Sequence, residues 1–94
     1  MEYIETLNRV CSYFDVTIDD LRRRDTTNKT SLARNFVYYI LHTDLRLSIN
    51  KIGKILNRKS RNIQYRVADI KYNIEHSKEY DRIYKDLIPY IYDI

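Results

Sequence analysis

Between Ser48 and Ile74 the apolar residues recur at helical intervals twice, separated by a break too short and polar to be anything but a turn. Ile52, Ile55 and Leu56 share one face of a short helix, predicted from Ile49 to Leu56. Ile63, Val67, Ile70 and Ile74, spaced four, three and four, share one face of a longer helix, predicted from about Ser60 into the mid-seventies. Ser48 and Ser60 each stand one residue before an amphipathic run, where a hydroxyl can accept from the unpaired amides of a first helical turn. The linker Asn57-Arg58-Lys59 makes the two apolar faces meet at a steep angle. The pattern is that of a helix-turn-helix over residues 48–76.

The rest of the chain agrees with a helical fold. One Gly and one Pro among 94 residues, with 44% hydrophobic content, favour long helices and few tight turns. We expect an all-α fold of about six helices, forming a single domain over residues 1–94. The longest purely apolar run, Phe36 to Leu41, falls far short of the roughly 20 residues that span a bilayer. No basic-then-apolar leader opens the chain, and Cys11 stands alone on a predicted helix face. Both point to a reducing cytoplasm, with Cys11 packed in the core rather than reactive.

Charge is unevenly distributed. Residues 1–20 hold one Arg against five acids, residues 21–66 twelve Lys or Arg against two acids, and residues 67–94 four against six. The excess cations therefore fall on the helix-turn-helix and the loop before it, and a polyanion is the natural partner for such a surface. An anionic membrane surface is the weaker alternative to a polyanion, since no strongly apolar exposed face accompanies the basic residues, and no membrane partner is expected.

Along the chain, Ile4, Leu7, Val10, Cys11 and Phe14 predict a first helix from about Glu2 to Tyr13 with an acidic outer face. Thr17-Ile18-Asp19-Asp20 reads as a capping box with Asp in place of Glu or Gln, opening a second helix from Ile18 to about Arg23. Arg22-Arg23-Arg24 and the polar run through Thr30 read as an exposed basic loop. Ser31 is expected to cap a third helix, Leu32 to about Asp44, which buries Ala33, Phe36, Val37, Ile40 and Leu41. Gly53, inside the short helix, costs up to about 1 kcal/mol relative to Ala and implies close approach of another helix. A last helix over 78–92 carries Tyr80, Ile83, Tyr84, Leu87, Ile88 and Ile91 on one side, with Pro89 expected to kink or end it.

If Ile63 points inward, steps of about 100° put Arg61, Tyr65, Ala68 and Tyr72 outward, with Asn62 and Gln64 on the flanks. In a DNA-bound helix-turn-helix that N-terminal half of the second helix reaches base edges in the major groove, where Arg pairs with guanine and Asn or Gln with adenine. The base-contacting candidates are therefore Arg58, Lys59, Arg61, Asn62, Gln64 and Tyr65. The phosphate-contacting candidates are Arg22, Arg23, Arg24, Lys29, Arg34, Ser48, Lys51, Ser60 and Arg66. A solvated helix that carries cations would show the same pattern.

Three stretches carry a family resemblance: Val10-Cys11-Ser12-Tyr13-Phe14-Asp15-Val16-Thr17-Ile18-Asp19-Asp20-Leu21, then Leu32-Ala33-Arg34-Asn35, then Asp44-Leu45 with Leu47-Ser48-Ile49-Asn50-Lys51-Ile52-Gly53. In order and spacing they resemble the C-terminal DNA-binding domain of the bacterial replication initiator DnaA, over about residues 5–76. The resemblance implies a Trp-repressor-like helix-turn-helix fold and double-stranded DNA as partner. It departs in the turn, where the family's Gly-Gly-Arg-Asp-His-Ser/Thr-Thr-Val corresponds to Asn57-Arg58-Lys59-Ser60-Arg61-Asn62-Ile63, one residue shorter. Leu32 stands where the family frequently has an arginine that enters the minor groove. The resemblance thus implies DNA binding with altered sequence specificity, in replication or transcription. The initiator's ATPase domain has no counterpart here, so helicase loading by this chain alone is not expected.

Two classes of function stay open. One is a nucleoid-associated DNA-binding protein; the other is a module that keeps the fold but binds a protein, or a second copy of itself, through the Tyr-rich segment 78–94. His42 and His76 read as helix-surface residues, and no Gly-rich phosphate loop or repeated ligand spacing exists. Neither an enzyme activity nor a metal or other cofactor is expected.

Overall fold

Why the chain buries what it does is seen in a computed structural model, which describes residues 2–23 and 27–92. Six α-helices follow in order: α1 (Glu2–Phe14), α2 (Ile18–Arg22), α3 (Asn28–Tyr39), α4 (Ile49–Leu56), α5 (Ser60–His76) and α6 (Lys78–Tyr92). Among the described residues there is no strand. A π-helical turn, Ile40–Asp44, widens the end of α3, and Leu45 N donates to Ile40 O at 3.2 Å across it.

The α3 helix is the centre of the fold. Ala33, Phe36, Val37, Ile40 and Leu41, the stripe predicted from spacing, are all buried, and α1, α2, α5 and α6 deliver Leu7, Val10, Leu21, Ile63, Ile70 and Leu87 to the same cluster. From α4, Ile52 and Leu56 join them. Cys11 is buried there too, and burial, with Asp20 as a smaller cause, pushes its thiol up to about 11. A thiolate is thus disfavoured, as expected of a packing residue.

Local expectations hold where a short-range hydrogen bond decides. The Thr17–Asp20 capping box is present in both directions, at 2.9 and 3.0 Å. Ser48 Oγ accepts from Lys51 N at 3.1 Å and caps α4.

Other expectations need correction. The third helix begins at Asn28 and not Leu32, because Thr27, rather than Ser31, supplies the cap, with its Oγ1 accepting from Thr30 N at 3.4 Å. Lys29 is therefore helical and not part of a loop. The cap of α5 is Lys59, which makes no side-chain cap bond; Ser60 is already inside the helix. Ile4 is 47% exposed and does not join the buried stripe of α1, whose first turn meets the core through Tyr3 instead. His42 is half-buried, with Nδ1 2.9 Å from the Leu47 carbonyl, rather than lying on the surface.

Pro89 does not end the last helix, which continues to Tyr92. Proline sacrifices one backbone bond, but the residue is exposed, as is Lys85, whose carbonyl loses its donor and can turn to water. Burial of Leu87 and Ile91 on either side holds α6 down. The tail packs back on α1, α3 and α5, largely through rings: Tyr80 stacks on Phe36, Tyr84 meets Tyr39 edge-on, and Tyr90 meets Tyr13. The hydroxyls of Tyr84 and Tyr92 both donate to the Asp44 carboxylate, at 3.5 and 3.1 Å.

Candidate nucleic-acid interface

The α4 and α5 helices are joined by three residues, and two backbone features make so tight a turn feasible. Asn57 takes the left-handed conformation (φ 55°, ψ 52°) that Asn tolerates better than most side chains. Gly53 has no Cβ where the Arg58 carbonyl comes in; a Cβ there would lie 2.6 Å from that oxygen and 3.5 Å from Ile63 Cδ1. The close neighbour is the turn's own backbone, together with one side chain of α5.

With Ile63 and Ile70 buried beneath it, α5 turns Arg61, Asn62, Gln64, Tyr65 and Arg66 to solvent, and Tyr65 is 67% exposed. Two grooves flank this face. On the α4 side, Ser60, Arg61, Gln64 and Tyr65 meet Ile49 and Asn50. On the α3 side, Asn62, Tyr65, Arg66 and Asp69 meet Ser31, Asn35 and Tyr38. A third cleft, between the end of α2 and the turn, brings Arg22, Lys59, Asn50 and Lys54 together. No ion pair among the described residues engages Lys54, Lys59, Arg61 or Arg66, so their charge is available to a ligand.

The remaining candidates are placed differently. Arg23 and Lys29 lie 3.9 Å from the carboxylates of Asp20 and Asp15, exposed pairs worth about 0–1 kcal/mol and readily exchanged for a phosphate. Lys51 stands over the Tyr3 ring, 5.2 Å from its centroid. The Ser48 hydroxyl is occupied as a cap. Arg24 lies outside the described residues.

Arg34 and Arg58 are turned onto backbone carbonyls. Arg34, only 9% exposed, donates through Nε to Leu21 O at 3.0 Å and through Nη2 to Asp20 O and Arg23 O at 3.4 and 3.2 Å. Arg58 donates to the carbonyls of Arg22 (2.9 Å) and Arg23, and to that of its neighbour Asn57 (3.2 Å). Between them lies Tyr38, whose hydroxyl is raised by burial against the lowering effect of Arg58, Arg34 and Arg66.

Among the residues of these grooves that were not sequence candidates are Asn50, Lys54 and Tyr38. The first two are legible in retrospect, since 50, 54 and 57 follow the polar side of α4 at helical spacing. Tyr38 carries no such signal; one turn beyond Arg34, it sits among apolar residues and reads as core.

A three-residue turn, an apolar seam beneath and a cationic, hydrogen-bonding second helix above define a helix-turn-helix protein. Residues 4–70 match the family described as the bacterial dnaA protein helix-turn-helix, and this chain belongs to that family. It is similar to the chromosomal replication initiator protein DnaA of Oleidesulfovibrio alaskensis, 30% identical over 64 residues, which make up 68% of this chain and 14% of that protein. The α6 helix lies beyond the matched residues. No helix among the described residues is long and apolar enough to cross a membrane.

Proposed function

We propose that this protein binds double-stranded DNA through α5, in a replication- or transcription-related role and with a target different from that of the initiator. The observation that carries this reading is the exposed N-terminal half of α5. Arg61, Asn62, Gln64 and Tyr65 are exposed, flanked by Lys59 and Arg66, which form no ion pair among the described residues, in the part of a recognition helix that meets base edges. Family membership supports the same reading. The substitution of Lys59-Ser60-Arg61-Asn62 for the family's acid, histidine and hydroxyl residues supports a changed target.

Use of the tail as a protein-binding element is the weaker reading. Most of its apolar side is spent on the core, leaving Tyr90 and Tyr92 at 45% and 39% exposure.

Selection from a random-sequence duplex pool at two salt concentrations tests the proposal. With about five phosphates contacted, log affinity falls against log salt with a slope near −4.5, and a motif other than the initiator's is enriched. Salt-sensitive binding with no motif would reduce the reading to backbone binding, and no binding would overturn it.

A further inference from the structure

We infer that Arg58 and Arg34 are positioning residues: they clamp the C-terminal end of α2 so that Arg22 and Arg23 are held beside the helix-turn-helix turn. The inference rests on the DNA-binding reading for its purpose but on the geometry for its substance. The α2 helix has five residues, too few to be stable alone. The carbonyls of Asp20, Leu21, Arg22 and Arg23 are met by the two guanidinium groups, one from α3 and one from the helix-turn-helix turn. A planar fork with five donors suits this task, and a cation at a helix C-terminus is favoured besides. Arg22 reciprocates, donating through Nε to the Ile55 carbonyl at 2.9 Å, near the end of α4. The turn and the start of the basic connection are thus stitched together from both sides.

The test uses the full chain and the charge-preserving variant Arg58→Lys, which has one donor group where the clamp needs two. Without DNA, exchange of the Leu21 and Arg23 amides, bonded to Thr17 and Asp19 in the wild type, should accelerate roughly tenfold while α5 amides keep their protection. With DNA, the salt slope of Arg58→Lys should shrink by about one to two, because Arg22 and Arg23 lose their placement although net charge is unchanged. Unaltered exchange at Leu21 and Arg23 would overturn the clamp. So would an equal acceleration throughout α5, which would assign Arg58 to general stability. A wild-type protein that binds no DNA would overturn the proposed function, while the exchange result still decides the clamp.

Discussion

Arg58 and Gly53 meet backbone to backbone: the Arg58 amide donates to the Gly53 carbonyl at 2.9 Å, and the Arg58 carbonyl occupies the space a Cβ on residue 53 would need. Gly53→Ala gains up to about 1 kcal/mol of helix propensity but must displace a backbone atom, which costs about 1–3 kcal/mol. A net loss of about 1–2 kcal/mol in urea unfolding is expected. A more stable Ala variant would show that the turn relaxes freely.

Asn57 makes the opposite case. Its φ of 55° is strained for any side chain and least so for Gly. Asn57→Gly should be neutral or stabilising by up to about 1 kcal/mol, whereas Asn57→Val should cost about 2 kcal/mol through the left-handed backbone. Equal stability of the two variants would mean that the turn changes conformation when the residue does.

On the proposed DNA-binding surface, residues are expected to divide by task. Arg61→Ala with Asn62→Ala should flatten base preference by about 1–3 kcal/mol at the positions they read, with most of the salt slope retained. Arg23→Ala with Lys29→Ala should weaken binding to all sequences alike and reduce the slope by about two. Quantitative binding to the selected site and to a scrambled duplex separates these outcomes, and an identical pattern for both pairs would refute the division of roles.

The tail should release in alkali. Burial first, and the Asp44 carboxylate second, push Tyr92 up to about 12, and the same causes raise Tyr84 further still. Both keep their protons in the folded state beyond the ordinary value of 10.0, so their contribution is complete below that pH and is lost as pH rises from there towards 12. Urea midpoints should therefore fall across this window in the wild type and fall less in Tyr84→Phe with Tyr92→Phe. Parallel curves would sink the assignment.

Much of this fold is written locally. The stripe from Ala33 to Leu41, the Thr17 and Ser48 caps and the seam from Ile63 to Ile74 depend on spacings and short-range bonds that a sequence displays directly. The same local rules decide between neighbouring hydroxyls less well. Thr27 and Ser31 are both good caps, and the choice of Thr27 sets where α3 begins. Pro89 shows the limit of a residue's own preference, since the packing of Leu87 and Ile91 carries the helix past it.

What the sequence by itself determined is the class of fold, the position of the helix-turn-helix and the concentration of positive charge about it, because periodicity and charge are properties of neighbours along the chain. Only the tertiary structure decided what each arginine does. Arg58, Arg61 and Arg34 are alike as letters. Arg61 stands in solvent, while Arg34 and Arg58 reach carbonyls at the end of α2 and its cap, at least eleven residues away, and Arg58 also bonds its neighbour Asn57. A guanidinium goes to whichever unsatisfied oxygens folding brings within reach, and no spacing along the chain encodes which those will be.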